Sequence, residues 1–121
     1  MVLSDDADEW VIADAIKVEP EGTTMPSYPF PVADNTDANF VGAWGSGTAS
    51  QQYGADRYAK AVGVGDSTVT WSLAVPEAGN YNVYAWWDTS SDPKYWTPDA
   101  PYTITYGEED PETATVTVTQ E

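Results

Sequence analysis

The 121-residue chain contains no cysteine and no histidine. Those absences exclude disulfide staples, thiol nucleophiles, Cys/His zinc centres and Ser-His-Asp catalysis. Positive charge is scarce as well: Lys17, Arg57, Lys60 and Lys94 stand against twenty acidic residues, giving a formal net charge of −16. Such a chain repels nucleic-acid phosphates and the anionic face of most membranes, so neither is expected as a partner. No apolar run approaches the length of a membrane span, which argues against membrane insertion. The opening MVLSDDADEW has neither the basic region nor the apolar h-region of a signal peptide, so an extracellular or cell-surface placement implies a processed or excised piece. An acidic surface stays soluble at high ionic strength, where salt screens its self-repulsion. That property suits a saline setting and an ordinary acidic secreted domain alike.

Helical periodicity is also scarce. Residues 53–62, bracketed by Gly54 and Gly63, are the one stretch that suits a short turn of helix. Elsewhere the pattern has period two. In residues 10–18 (WVIADAIKV), Trp10, Ile12, Ile16 and Val18 fall on one side and Val11, Ala13, Ala15 and Lys17 on the other. Asp14 interrupts the apolar side, and a buried Asp14 calls for a donor such as Arg57 or a backbone amide rather than a catalytic role. Val69, Trp71 and Leu73 point inward from a half-buried strand, with Thr68, Thr70 and Ser72 outward. Tyr102, Ile104 and Tyr106 share a face in the next run, and Val116 and Val118 do so in the last. Between these, VPEAGNYNVYAWW supplies a turn and then an aromatic strand with Tyr81, Val83, Ala85 and Trp87 on one face and Asn82, Tyr84, Trp86 and Asp88 on the other. A strand apolar on both sides is either buried between layers or offers one face to a ligand. Many strands separated by Gly, Pro, Asn and Asp clusters predict an all-β fold, an antiparallel β-sandwich of jelly-roll-like type.

The chain divides into a strand region at 1–19, a Pro-rich linker or crossing at 20–31 and the main body of the sandwich at 32–121. Pro20, Pro26, Pro29 and Pro31 make the middle segment too long and too proline-rich for a hairpin. The first strand must therefore pair with something distant in sequence or in another chain.

The ordered motifs VADNTDANF, GAWGSG, YGADRYAKA, TVTW, VPEAGNYNVYAWW, APYTITY and TVTVTQ span residues 32–120, about three quarters of the chain. In that order they resemble the golvesin C-terminal-like domain, also described as a xanthan lyase carbohydrate-binding-like domain. The resemblance implies a β-sandwich accessory module of extracellular polysaccharide-active enzymes and surface proteins. In the family a Gly-Trp strand follows the TVTVTQ-like strand, and a strand resembling VLSDDADEWVIADAIKV closes the domain. Here that closing strand stands first, at residues 2–18, and the Gly-Trp strand is missing. Relative to the family the sandwich is thus permuted, or cut across a tandem repeat, and incomplete. A missing strand leaves ladder groups and a core slot open, which another copy or chain could fill by strand addition.

Two kinds of site suggest themselves. Tyr84 and Trp86, with Tyr95 and Trp96 from the following loop, could stack on the flat C–H faces of sugar rings, with Asp88, Asp92 and Asp99 accepting from hydroxyls. The competing reading places Trp86 and Trp87 in the core and uses Tyr95 and Trp96 to close its end. Two acidic clusters could bind calcium, which takes several oxygen ligands: Asp5, Asp6, Asp8 and Glu9, or Asp34, Asn35 and Asp37. Neither cluster has EF-hand spacing, and Asp34 or Asn35 serves equally well as a turn cap. No other cofactor is called for. Glycosidase chemistry needs two carboxylates at a set separation, one with a raised pKa, and no such pair is marked out. The expectation is a non-catalytic carbohydrate-binding module with a polysaccharide or glycan as partner; the alternative is a structural or adhesive subunit that assembles by strand complementation.

Overall fold

The computed structural model describes residues 1–22, 32–54, 57–60, 62–89 and 95–121. Its strands are β1 (Val2–Ser4), β2 (Val11–Ala13), β3 (Ala15–Pro20), β4 (Val32–Asp34), β5 (Asn39–Val41), β6 (Gly45–Gly47), β7 (Arg57–Lys60), β8 (Thr68–Thr70), β9 (Tyr81–Trp86), β10 (Ala100–Tyr106) and β11 (Glu112–Val118). Two antiparallel layers pack together as a β-sandwich. One layer is five-stranded, in the order β11-β10-β1-β8-β5. The other consists of two three-stranded pieces, β2-β7-β6 and β4-β3-β9, joined through the continuous run 11–20. Among the described residues no helix is long and apolar enough to cross a membrane.

Alternation decides which side chains meet in the middle. Tyr102, Leu3, Val69 and Phe40 stand opposite one another across four neighbouring strands of the first layer. Leu3, Val69 and Tyr102 are buried and Phe40 packs against them. Val11, Ala13, Ile16 and Ala33 close on this row from the second layer, and Trp71 completes the cluster. The expected inward set Val69, Trp71 and Leu73 is thus in the core or against it. Tyr102 is buried, while Tyr106 on the same face is exposed. The cause is that β1 pairs with β10 at Tyr102 and Thr103, beyond which β10 and β11 run on as a ribbon.

Two expectations change. Within residues 53–62, the stretch that suits a turn of helix, Arg57–Lys60 form a strand, β7, lying between β2 and β6, and residues 55, 56 and 61 lie outside the described residues. Partners on both sides supply backbone hydrogen bonds that one helical turn, costly to nucleate, cannot match. The strand over residues 10–18 is also divided at Asp14, and both of its sides are covered: Val11, Ile12, Ala13, Asp14, Ala15 and Ile16 are all buried. Its partners β4, β7 and β9 are distant in sequence and belong to the same chain. Residues 23–31 of the Pro-rich segment lie outside the described residues.

The second edge of β2 is closed by the last part of the chain. Trp10 forms a parallel bridge with Trp96: its amide donates to the Tyr95 carbonyl at 3.1 Å and its carbonyl accepts from the Thr97 amide at 2.9 Å. The Gln120 amide donates to the Thr97 carbonyl at 2.8 Å, and its side chain then acts as a one-residue strand. Gln120 Oε1 accepts from the Ile12 amide at 2.8 Å, and Nε2 donates to the Ile12 carbonyl at 2.8 Å and to the Tyr102 hydroxyl at 3.2 Å. Burial pushes the Tyr102 phenol well above its ordinary pKa, so it stays neutral in this network. Gln120→Ala strips both Ile12 groups of this partner in a buried site. It is expected to cost about 2–4 kcal/mol, since each buried group left unsatisfied costs roughly 1–3 kcal/mol. Urea denaturation measures this, and a loss under about 0.5 kcal/mol, the range of an ordinary surface substitution, would contradict the closure.

Candidate functional site

The aromatic strand β9 resolves into two unlike faces. Val83 and Ala85 are half-buried toward the core, while Asn82, Tyr84 and Trp86 are exposed. In antiparallel register with β3 and β4, Tyr84 stands opposite Lys17, which faces Val32, and Trp86 stands opposite Ala15, which faces Asp34. Ala15 is small, so the Trp86 row sinks where the Tyr84 row stands high. The result is an open groove of about 550 Å³ lined by Tyr53, Tyr84, Trp86, Lys17, Glu19 and Gln52, with Ala15, Val32 and strand backbone completing it. That volume falls within the roughly 300–1,000 Å³ usual for ligand sites.

Residues 51–54 form the wall at one end. The Trp86 indole Nε1–H donates to the Gln51 carbonyl at 2.9 Å, and Thr89 Oγ1 donates to Gln51 Oε1 at 3.1 Å. The Tyr53 amide donates to both oxygens of buried Asp14, each at 3.2 Å, so Asp14 has the backbone-amide partner its burial calls for. Gly54 has φ +70, and a Cβ there would come within 1.9 Å of Asp34 Oδ2. Glycine alone lets this loop seat against β4. Trp86 is therefore 56 % exposed and yet fixed in direction, and Tyr84 and Tyr53 are 48 % and 44 % exposed beside it.

Lys17 Nζ and Glu19 Oε1 make an ion pair at 2.6 Å along the groove, and the same ammonium lies 5.9 Å from the Tyr84 ring centroid. Flat aromatic faces beside a few fixed polar groups suit a ligand with apolar C–H faces and hydroxyl edges.

The other expected site residues lie elsewhere. Asp88 is fully buried and has no surface to offer a ligand. Asp92 lies outside the described residues. Tyr95 is exposed and Trp96 is 7 % exposed; the Tyr95 carbonyl and the Trp96 bridge lie at the β2 edge, and neither ring lines the groove. Asp99 Oδ1 accepts from the Asp8 amide at 3.3 Å and from the Thr97 hydroxyl, which fixes the local loop. The expected four-ring platform is accordingly split between groove and edge, because Trp10 draws Tyr95 and Trp96 to the end of β2. At the second acidic cluster Asp34 is the N-cap of a 3-10 turn over Asn35–Asp37, in a capping box completed by Asp37. Its side chain accepts from the Asn35 amide at 2.8 Å, and Asn35 itself is buried. These contacts are those of a turn cap, and no group of three His, Cys, Asp or Glu that could hold a metal ion occurs among the described residues. In the first cluster Asp5 is buried, with Oδ1 accepting from the Ser67 amide at 3.1 Å.

The groove also holds Lys17, Glu19, Gln52 and Tyr53, which the sequence reading did not single out. Lys17 and Glu19 share the i, i+2 face of β3 with Ala15, so alternation carried a signal for them. Tyr53 and Gln52 come from a loop, where no period exists.

The family model of the Golvesin C-terminal domain matches residues 31–121. The match leaves out β1, β2 and β3, which supply Lys17 and Glu19 to the groove. No curated protein and no solved structure matches the chain.

Proposed function

The chain belongs to the Golvesin C-terminal domain family, and from that premise we propose that it is a non-catalytic extracellular module that binds polysaccharide in the groove between Tyr53, Tyr84 and Trp86. The observation that carries this reading is the exposed Tyr84–Trp86 pair, on a sheet face that no other layer covers among the described residues, with the Trp86 indole fixed by the Gln51 carbonyl. Large rings kept in water gain nothing for the fold, whereas a stacked pyranose would recover their burial. The non-catalytic part rests on the lining: Glu19 is its one carboxylate among the described residues, and Lys17 holds it. Hydrolysis asks for two carboxylates across a single bond. Native affinity electrophoresis through gels containing single polysaccharides tests the reading. Retardation by at least one is expected, and unaltered migration through a broad panel would overturn it.

A specific observation favours assembly as a second reading. Among the described residues strand β11 pairs with β10 alone, its residues 112–117 are exposed on both faces, and residues 113–117 carry no charge. Edge strands are usually protected by charge, proline or a cover, and the described residues give this one none of these over 113–117. Strand addition to β11 would produce concentration-dependent association in sedimentation velocity. A single monomer boundary at every concentration would remove this reading.

A further inference from the structure

We infer that Glu19 makes the groove selective for uncharged pyranose polymers and excludes uronic-acid polymers, a specificity that rests on the carbohydrate-binding reading above. Lys17 is the one cation on the described lining, and a carboxylated sugar would need it as its counter-ion. Glu19 already occupies that ammonium at 2.6 Å, so the pair presents no net charge. Around the pair lies a chain of net charge −16, whose field repels polyanions before they reach the site. An incoming uronate therefore meets a neutralised cation and a repulsive surface. A neutral ring meets the aromatic faces with no such opposition, and Gln52 remains for its hydroxyls.

The test compares galactomannan, amylose and mixed-linkage β-glucan with the same polymers oxidised at C6 to carboxylates, in native affinity gels at low and high salt. The neutral form that retards the wild type is expected to bind about tenfold more tightly than its oxidised counterpart at low salt, a gap that narrows near 1 M NaCl, where the Debye length is about 3 Å. Glu19→Gln frees Lys17 and is expected to raise affinity for the oxidised polymer about tenfold while changing that for the neutral one less than about threefold. Retained neutral binding also reports that the variant is folded. Equal wild-type binding of the two forms, or an unchanged ratio in Glu19→Gln, would overturn the inference and leave the carbohydrate-binding reading intact. If none of these polymers, neutral or oxidised, retards the wild type, the selectivity inference is overturned, and the wider panel then decides the reading beneath it.

Discussion

Trp71→Ala is expected to lower the free energy of unfolding by about 3–5 kcal/mol, the range for removing a large aromatic side chain from a packed core. Trp71 is 1 % exposed and belongs to the central cluster with Leu3, Val69 and Tyr102. Its indole Nε1–H donates to the Asp34 carbonyl at 3.2 Å, which ties the end of β8 to the capped turn after β4. Its amide donates to the Met1 carbonyl at 2.9 Å, and its carbonyl accepts from the terminal amine at 2.7 Å. The substitution thus opens a cavity between the layers and unlinks the Asp34 turn from the core. Against a total stability of about 5–15 kcal/mol for a typical domain, such a loss is large. Urea denaturation of both proteins gives the difference directly, and one below about 1 kcal/mol would contradict the packing described here.

Trp86→Ala is expected to abolish retardation by polysaccharide while leaving the urea midpoint close to wild type. The ring is more than half exposed, so its removal opens no interior cavity, and what it loses is the contact with the Gln51 carbonyl. An aromatic pair contributes about 0.5–1.5 kcal/mol beyond area burial, and burial of the ring adds to that, so a loss of at least about tenfold in affinity follows. Trp96→Ala is the contrasting control. Trp96 is buried at the β2 edge and should reduce stability when removed, with any change in binding following from the weaker fold. If Trp86→Ala migrates through polysaccharide as the wild type does, the groove is not where sugar binds. If it unfolds at much lower urea, Trp86 is a structural residue after all.

The two tryptophans show where alternation informs and where it fails. The period-two pattern of residues 81–87 separates Tyr84 and Trp86 from Val83 and Ala85, and the structure keeps that separation. It does not say which face is covered. That depends on β3 and β4, which lie beside β9 and bring Ala15 under the Trp86 row. Trp96 sits outside any regular strand, so alternation has nothing to say of it. Its burial follows from a parallel bridge to Trp10, eighty-six positions earlier in the chain. Asp88 shares the outward parity of Trp86 by count and is nevertheless buried, because β9 ends at Trp86 and the parity ends with it. Asp34 and Asn35 were legible as a cap because the rule is local: a short acceptor precedes a turn and takes up its free amides.

The sequence by itself determined the all-β sandwich, the inward residues of its central strands, the acidic field and the family, since each depends on periodicity, charge or ordered motifs that need no knowledge of neighbours. Tertiary structure alone decided that Gln120 completes the edge of β2, that Tyr53 enters the groove from a loop, and that Lys17 pairs with Glu19. These are contacts between segments far apart in the chain or choices among equally accessible partners. Local preference cannot rank them, because the free energy that selects each one comes from packing the two layers together.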